Sequence, residues 1–348
     1  MYDGSHTGGH TGGQAQAGPT PGHLPAVGAG NTLTLNYRDA QGEEVYLSKI
    51  SGPGLPSPFW QAWEELQRLG IPAENVTAAF SEIEPCRLPG CYCDPLLRDF
   101  AFPHAEISFG RPYGATARER AAAVAANSEQ AAALARMMGQ SAPPGASPVP
   151  PPAGAPPAPP LDPAQLAQVL ASAFGPAQVR RYQAGDLQRI GVPPAQAAVL
   201  EVAGLPAQLP HIFQAWTARP MPEQLGIRRS PLSEDRLHEF ASLVSIGGDG
   251  HCMIGLLISG PPHVLGGVWA VDPVLGTTRF VNSGPGELAR SLALLSHGRR
   301  RMRGRDAHGA GEIVERIQAQ LASVDPAAFH GEDRWWSLVV EQMWNGLL

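Results

Sequence analysis

Between Ala142 and Pro160 the chain carries ten prolines and no charged residue. Proline fixes its own φ and lacks a backbone N–H, so such a run can neither continue a helix nor sit inside a sheet. Its composition predicts an extended polyproline-II spacer with nothing to pack, a Pro/Ala-rich linker over residues 141–160. The spacer splits 348 residues into two parts, each of ordinary domain size. A hydrophobic content of 43% is enough for a core on either side. The net charge of −6 leaves no basic footprint for nucleic acid, which argues against it as a partner. No apolar run is long enough to cross a bilayer and no secretory signal is visible, so the expected location is cytoplasmic.

Residues 1–30 are mostly Gly, His, Thr, Ala and Pro, a composition that predicts a disordered tail. Its histidines His6, His10 and His23 are spaced for weak metal binding at most. Order is expected from Asn31. Thr32 to Tyr37 alternates with period two, Asp39 to Gly42 is a turn, and Glu44 to Leu47 returns as a hairpin. Phe59, Trp60, Trp63, Leu66 and Leu69 fall at helical spacing and stop at Gly70. Val76 to Ile83 reads as a strand, Cys93 to Phe100 as a short helix, Ala105 to Phe109 as a strand and Arg118 to Met138 as a helix. The order hairpin, α, β, α, β, α over residues 31–140 predicts a small three-layer α/β domain.

Three of the four cysteines, Cys86, Cys91 and Cys93, follow the Val76–Ile83 strand within eight residues. A Pro-Cys at a strand end with another cysteine on the next turn is half of a zinc-deaminase site. The other half is a His-x-Glu on the preceding helix, where His binds zinc and Glu moves protons. None of the histidines upstream of Cys86 is followed two residues later by Glu. So few cysteines in a chain this long do not make a disulfide framework, which favours a reducing compartment.

Beyond the spacer, Pro163 to Phe174 reads as a helix. Apolar runs at Leu243–Ile246, Met253–Ile258, Val268–Val271 and Thr278–Val281 alternate with Gly-rich turns such as Gly247 to Gly250, which predicts an antiparallel meander. Helices follow at Glu287–Leu295, Ala310–Ala322 and from Trp335 to the end, so residues 161–348 are expected to be an α+β domain. His251 and Cys252 are adjacent, and on a strand they would point to opposite faces. The Arg299–Arg305 cluster reads as a solvated loop between two helices. Trp335 and Trp336 read as core anchors.

The run Phe80-Ser81-Glu82-Ile83-Glu84-Pro85-Cys86 through Cys91-Tyr92-Cys93, with Pro112-Tyr113-Gly114, resembles the nucleic acid/nucleotide deaminase domains of bacterial polymorphic toxins. The resemblance implies zinc thiolates at Cys86 and Cys93, with Cys91 an additional thiol. It also places the missing His-Ser-Glu at Ser57-Pro58-Phe59, residues that can neither ligate zinc nor shuttle a proton. In the second part, Gly266 to Asp272, Phe280 to Ser283 and the Trp335 to Val339 ending resemble the SUKH immunity superfamily. That resemblance implies a toxin-binding protein with no catalytic residues. It also implies contact through the concave side of a sheet, for which Trp269 and Arg279 are the candidate partner-binding residues.

Two functions compete on these grounds. The first is an immunity-type binding protein with a protein partner, a toxin, and an inactive deaminase-like domain that needs no cofactor. The second is a zinc-dependent nucleic acid or nucleotide deaminase carrying a fused immunity-like domain, with zinc as its cofactor.

Overall fold

The computed structural model describes residues 24–152, 154 and 156–348. The 1–23 part of the expected tail, with His6, His10 and His23, lies outside the described residues. The molecule has two parts of mixed α/β content, each with its own sheet.

The first sheet has the order β2-β1-β3-β4, from β1 (Thr32–Arg38), β2 (Glu44–Ile50), β3 (Val76–Ile83) and β4 (Glu106–Arg111). β1 pairs antiparallel with β2 and β3, and β3 runs parallel to β4. Alternation sets which face is buried: Leu33 and Leu35 stand beside Ser81 and Ala79 and are sealed in the core. The Pro58–Leu69 helix covers that face with Phe59, Ala62 and Leu66, and ends on Gly70 in the left-handed conformation that favours glycine. The Ala117–Met137 helix lies on the other face, where Asn127 Nδ2 donates to Glu82 Oε2 at 3.3 Å. Its N-terminus is fixed by a capping box between Thr116 and Glu119.

The second part opens with the Pro163–Phe174 helix, followed by the two-residue strands β5 (Val179–Arg180), β6 (Leu205–Pro206) and β7 (Gln208–Leu209). β8 (Phe213–Pro220), β9 (Leu243–Gly248), β10 (Met253–Leu257), β11 (Val268–Val271) and β12 (Thr278–Asn282) follow. The main sheet has the order β12-β11-β10-β9-β8-β7 and every pairing in it is antiparallel. The Pro285–Met302, Ala307–Val324 and Trp335–Trp344 helices build its core around Leu292, Val314, Trp335 and Trp336.

Three expectations need correction. Residues 24–30 are not a loose tail: Ala26 and Val27 are buried, and Gly28 N donates to Trp344 O at 2.8 Å. The proline-rich stretch does not lie free. Ser147 pairs with Ala26, Gln318 Nε2 donates to Val149 O at 2.8 Å and Ala158 N donates to Ser323 O at 2.6 Å. Proline carbonyls still accept hydrogen bonds, as Pro156 O does from Ser323 Oγ at 3.2 Å and Pro159 O from Arg290 Nη1 at 3.0 Å, so a segment that cannot form a ladder can still be held by its neighbours. Finally, Arg299 to Arg301 belong to the last turn of the Pro285–Met302 helix, and Arg299 is buried rather than solvated. Arg299 Nη1 donates to Pro210 O at 3.2 Å, and burial pushes its guanidinium down to about 10.

Candidate functional site

The three clustered cysteines are brought together as the spacing predicts. One ligand atom from each of Cys86, Cys91 and Cys93 lies within 4.8 Å of the others, and all three residues are buried. β3 delivers Cys86, and the turn after it returns Cys91 and Cys93 beneath the start of the Pro58–Leu69 helix. That helix start carries Ser57, whose Oγ is 3.5 Å from Cys93 Sγ, and Phe59, which lines the same cavity. Ser57 and Phe59, which the resemblance sets against the His and Glu of a deaminase, thus border the cysteines, and neither side chain can ligate zinc as imidazole does or move a proton as carboxylate does. The Cys91 and Cys93 sulfurs are in contact, and Cys86 keeps a free thiol whose proton affinity burial raises. Glu84 borders the cavity, but its Oε2 accepts from Tyr113 N at 3.1 Å, so it serves the backbone.

The enclosed space is about 20 Å³. That is room for about one water and far too little for a base. A hydrolytic deaminase needs three protein ligands, an open metal position and a proton shuttle. A catalytic zinc does not fit these residues.

Part of what fills the space comes from the far end of the chain. Leu347 lines the cavity, and Leu348 packs on Gly90. Gln342 Nε2 donates to Pro89 O, and Cys86 Sγ lies 3.6 Å from Gln342 Oε1. Gly346, at φ +73°, turns the chain beyond the last helix so that the two leucines reach under the first part.

The exchange is mutual, for Tyr92 is buried in the core of the second part. Its hydroxyl donates to Asp249 Oδ2 at 2.8 Å and lies 3.3 Å from Cys252 Sγ. Trp335 Nε1 donates to the same Asp249 oxygen at 2.8 Å, while Cys252 N reaches Oδ1 at 2.8 Å. Burial raises the Asp249 carboxyl despite these donors, and it raises Tyr92 and Cys252 as well. Sequence reading missed this network. Asp249 sits in a Gly-Gly-Asp-Gly run whose composition signals only a turn.

Trp269 and Arg279 line one open groove of about 710 Å³, at the β11–β12 edge of the second sheet. Trp269 meets Phe280 edge-on with centroids 5.3 Å apart, and Arg334 lies over the Phe280 ring at 4.6 Å. Arg279 Nε donates to Asp333 O at 2.8 Å. Arg87 and Tyr92 complete the lining from the other part of the molecule. β9 is buried along its whole length. The groove is confined to the sheet edge.

The family model described as SUKH-4 immunity protein matches residues 165–342, a little over half of the chain. The chain belongs to the SUKH-4 immunity protein family. A second family model, described as Xanthomonas-like deaminase, matches residues 28–130. Both resemblances read from the sequence are thus borne out, in the same order along the chain. Comparison with curated proteins and with solved structures returns no match. No helix among the described residues is long and apolar enough to cross a membrane. The SUKH-4 match contains Trp269, Arg279, Asp249 and Gln342, and the deaminase match contains the cysteine pocket. The contacts through Tyr92 and Gln342 therefore join an immunity domain to a deaminase-like domain within one chain.

Proposed function

We propose that the chain is an immunity-type binding protein of a polymorphic toxin system. Its SUKH-4 domain recognises a protein toxin in the cytoplasm, and its deaminase-like domain is a pseudoenzyme retained as part of the scaffold. The observation that carries this reading is the cysteine pocket. Ser57 and Phe59, which the resemblance sets against the zinc-binding His and proton-moving Glu, line it, and Leu347 from the far end of the chain helps close it to about 20 Å³. The partner surface is the groove at the β11–β12 edge, where aromatic and arginine side chains converge as they do at interface hot spots.

Two measurements test it. The purified full chain is expected to release no ammonia from cytosine, adenine or guanine, as free nucleotides or in single-stranded DNA or RNA. Turnover that disappears in Cys86→Ala would restore the enzyme reading. For binding, the toxin is to be captured from the cognate lysate with the full chain, identified, and its affinity measured. Trp269→Ala is expected to weaken it by about 2 kcal/mol, roughly thirtyfold. Unchanged affinity in both Trp269→Ala and Arg279→Ala rules out the groove as the interface.

A further inference from the structure

The geometry points to a zinc site formed by His251, Cys252 and Asp272, at the edge of the same groove and separate from the cysteine pocket. The pairing of β10 with β11 builds it. Met253 stands opposite Val271, so Cys252 and Asp272 leave the end of the ladder together, with His251 one residue further out. Opposite faces of a strand therefore do not separate His251 from Cys252, because both sit in the bend before β10. A ring nitrogen, a thiol sulfur and a carboxylate oxygen lie within 4.8 Å of one another. His251 Nε2 and Asp272 Oδ2 are 3.2 Å apart. Ligands of a tetrahedral zinc at about 2.0–2.3 Å from the metal stand roughly 3.5 Å apart, so small side-chain shifts would close the set.

Three features distinguish the cluster from a simple His–Asp pair. First, each donor is oriented by backbone. Asp272 Oδ1 accepts from Val274 N at 2.8 Å and Leu275 N at 2.9 Å, which leaves Oδ2 to face the cluster. Cys252 N and His251 N donate to Asp249 Oδ1 at 2.8 Å and 3.3 Å, which fixes the bend. Partners of this kind hold metal ligands in register. Second, mixed nitrogen, sulfur and oxygen donors suit zinc, whereas magnesium and calcium take oxygen. One thiolate and one carboxylate also balance a dication. Third, the site has a way in. Cys252 and Asp272 line the groove of about 710 Å³, and the His251 and Asp272 side chains keep 13% and 15% of their surface in solvent.

The test uses the reduced full chain, stripped with chelator and titrated with Co²⁺, then with Zn²⁺ in competition. The expected result is one equivalent per chain with a thiolate-to-cobalt charge-transfer band. That band should be lost, or the affinity reduced at least tenfold, in Cys252→Ser and in His251→Gln, and unchanged in Cys86→Ser. His251→Gln changes a partly exposed side chain, so it remains informative if Cys252→Ser folds poorly. Absence of a thiolate band in the parent chain overturns the site, as does a band that follows Cys86 instead of Cys252. Absence of a band leaves the immunity reading standing, whereas a band that follows Cys86 would also put metal in the cysteine pocket and count against the pseudoenzyme half of that reading; toxin capture tests the binding half separately.

Discussion

Replacing Tyr92 with alanine is expected to cost about 4 kcal/mol of stability in urea unfolding, although Tyr92 belongs to one domain and its partners to the other. Truncating a fully buried aromatic side chain costs about 3–5 kcal/mol through lost burial and the cavity left behind. Tyr92 is 4% exposed and sits among core residues of the immunity domain. Its left-handed backbone, φ +46°, is equally awkward for alanine, so strain cancels from the comparison. Tyr92→Phe isolates the hydroxyl. Asp249 would lose one donor to a buried carboxylate, worth about 2 kcal/mol when the group is charged. The pH dependence gives a sharper signature. Burial holds the folded Asp249 carboxyl above its ordinary value. Across the window from the unfolded value, about 3.9, up to that raised value, the folded state keeps a proton the unfolded state has lost. Stability from this group therefore falls as pH rises through the window. The lost donor favoured the ionised form, so the Tyr92→Phe penalty is expected to grow as pH rises through the raised Asp249 value. A penalty that shrinks as pH rises would refute the Tyr92 hydroxyl as a donor to the Asp249 carboxylate.

What the sequence revealed and what it hid separate along physical lines. The Val76–Ile83 strand, the Pro163–Phe174 helix and the Val268–Val271 strand were readable because each is an apolar pattern closed by turn or capping residues. β8 was not readable. Its register shifts between Ala215 and Arg219, and it ends in Pro220, so no steady alternation runs through Phe213–Pro220. The candidate sites divide in the same way. The meeting of Cys86, Cys91 and Cys93 follows from local spacing, and Trp269 and Arg279 share a groove because β11 and β12 are neighbours. Leu347 in the deaminase-like core and Tyr92 in the immunity core are long-range facts. They depend on two domains docking, which no local pattern encodes. Arg299 misled for a similar reason: five arginines in seven residues suggest solvent, yet one of them is buried and donates to Pro210 O, distant in sequence.

Docking is also where the largest asymmetry between two single substitutions is expected. Arg120, on the Ala117–Met137 helix, forks onto both carboxylate oxygens of Glu341 at 2.6 Å and 2.8 Å, and gives a third bond to Ala115 O at 2.6 Å. The two ends of the pair are not equally deep. The Arg120 side chain is 1% exposed and that of Glu341 is 22% exposed. Removing one partner of a buried pair costs about 3–5 kcal/mol, because the remaining charge is left without compensation. Glu341→Met strands a guanidinium with no route to water and is expected near the top of that range, at about 4 kcal/mol. Arg120→Met strands a carboxylate that can still reach solvent, so about 2 kcal/mol is expected. The double replacement removes both desolvation costs and should lie close to the parent chain, so the interaction energy from the cycle is large. Urea unfolding of the four proteins decides the matter. If Arg120→Met costs as much as Glu341→Met, depth of burial does not control the penalty. If the double variant is as unstable as the sum of the singles, the fork is not what couples the two helices.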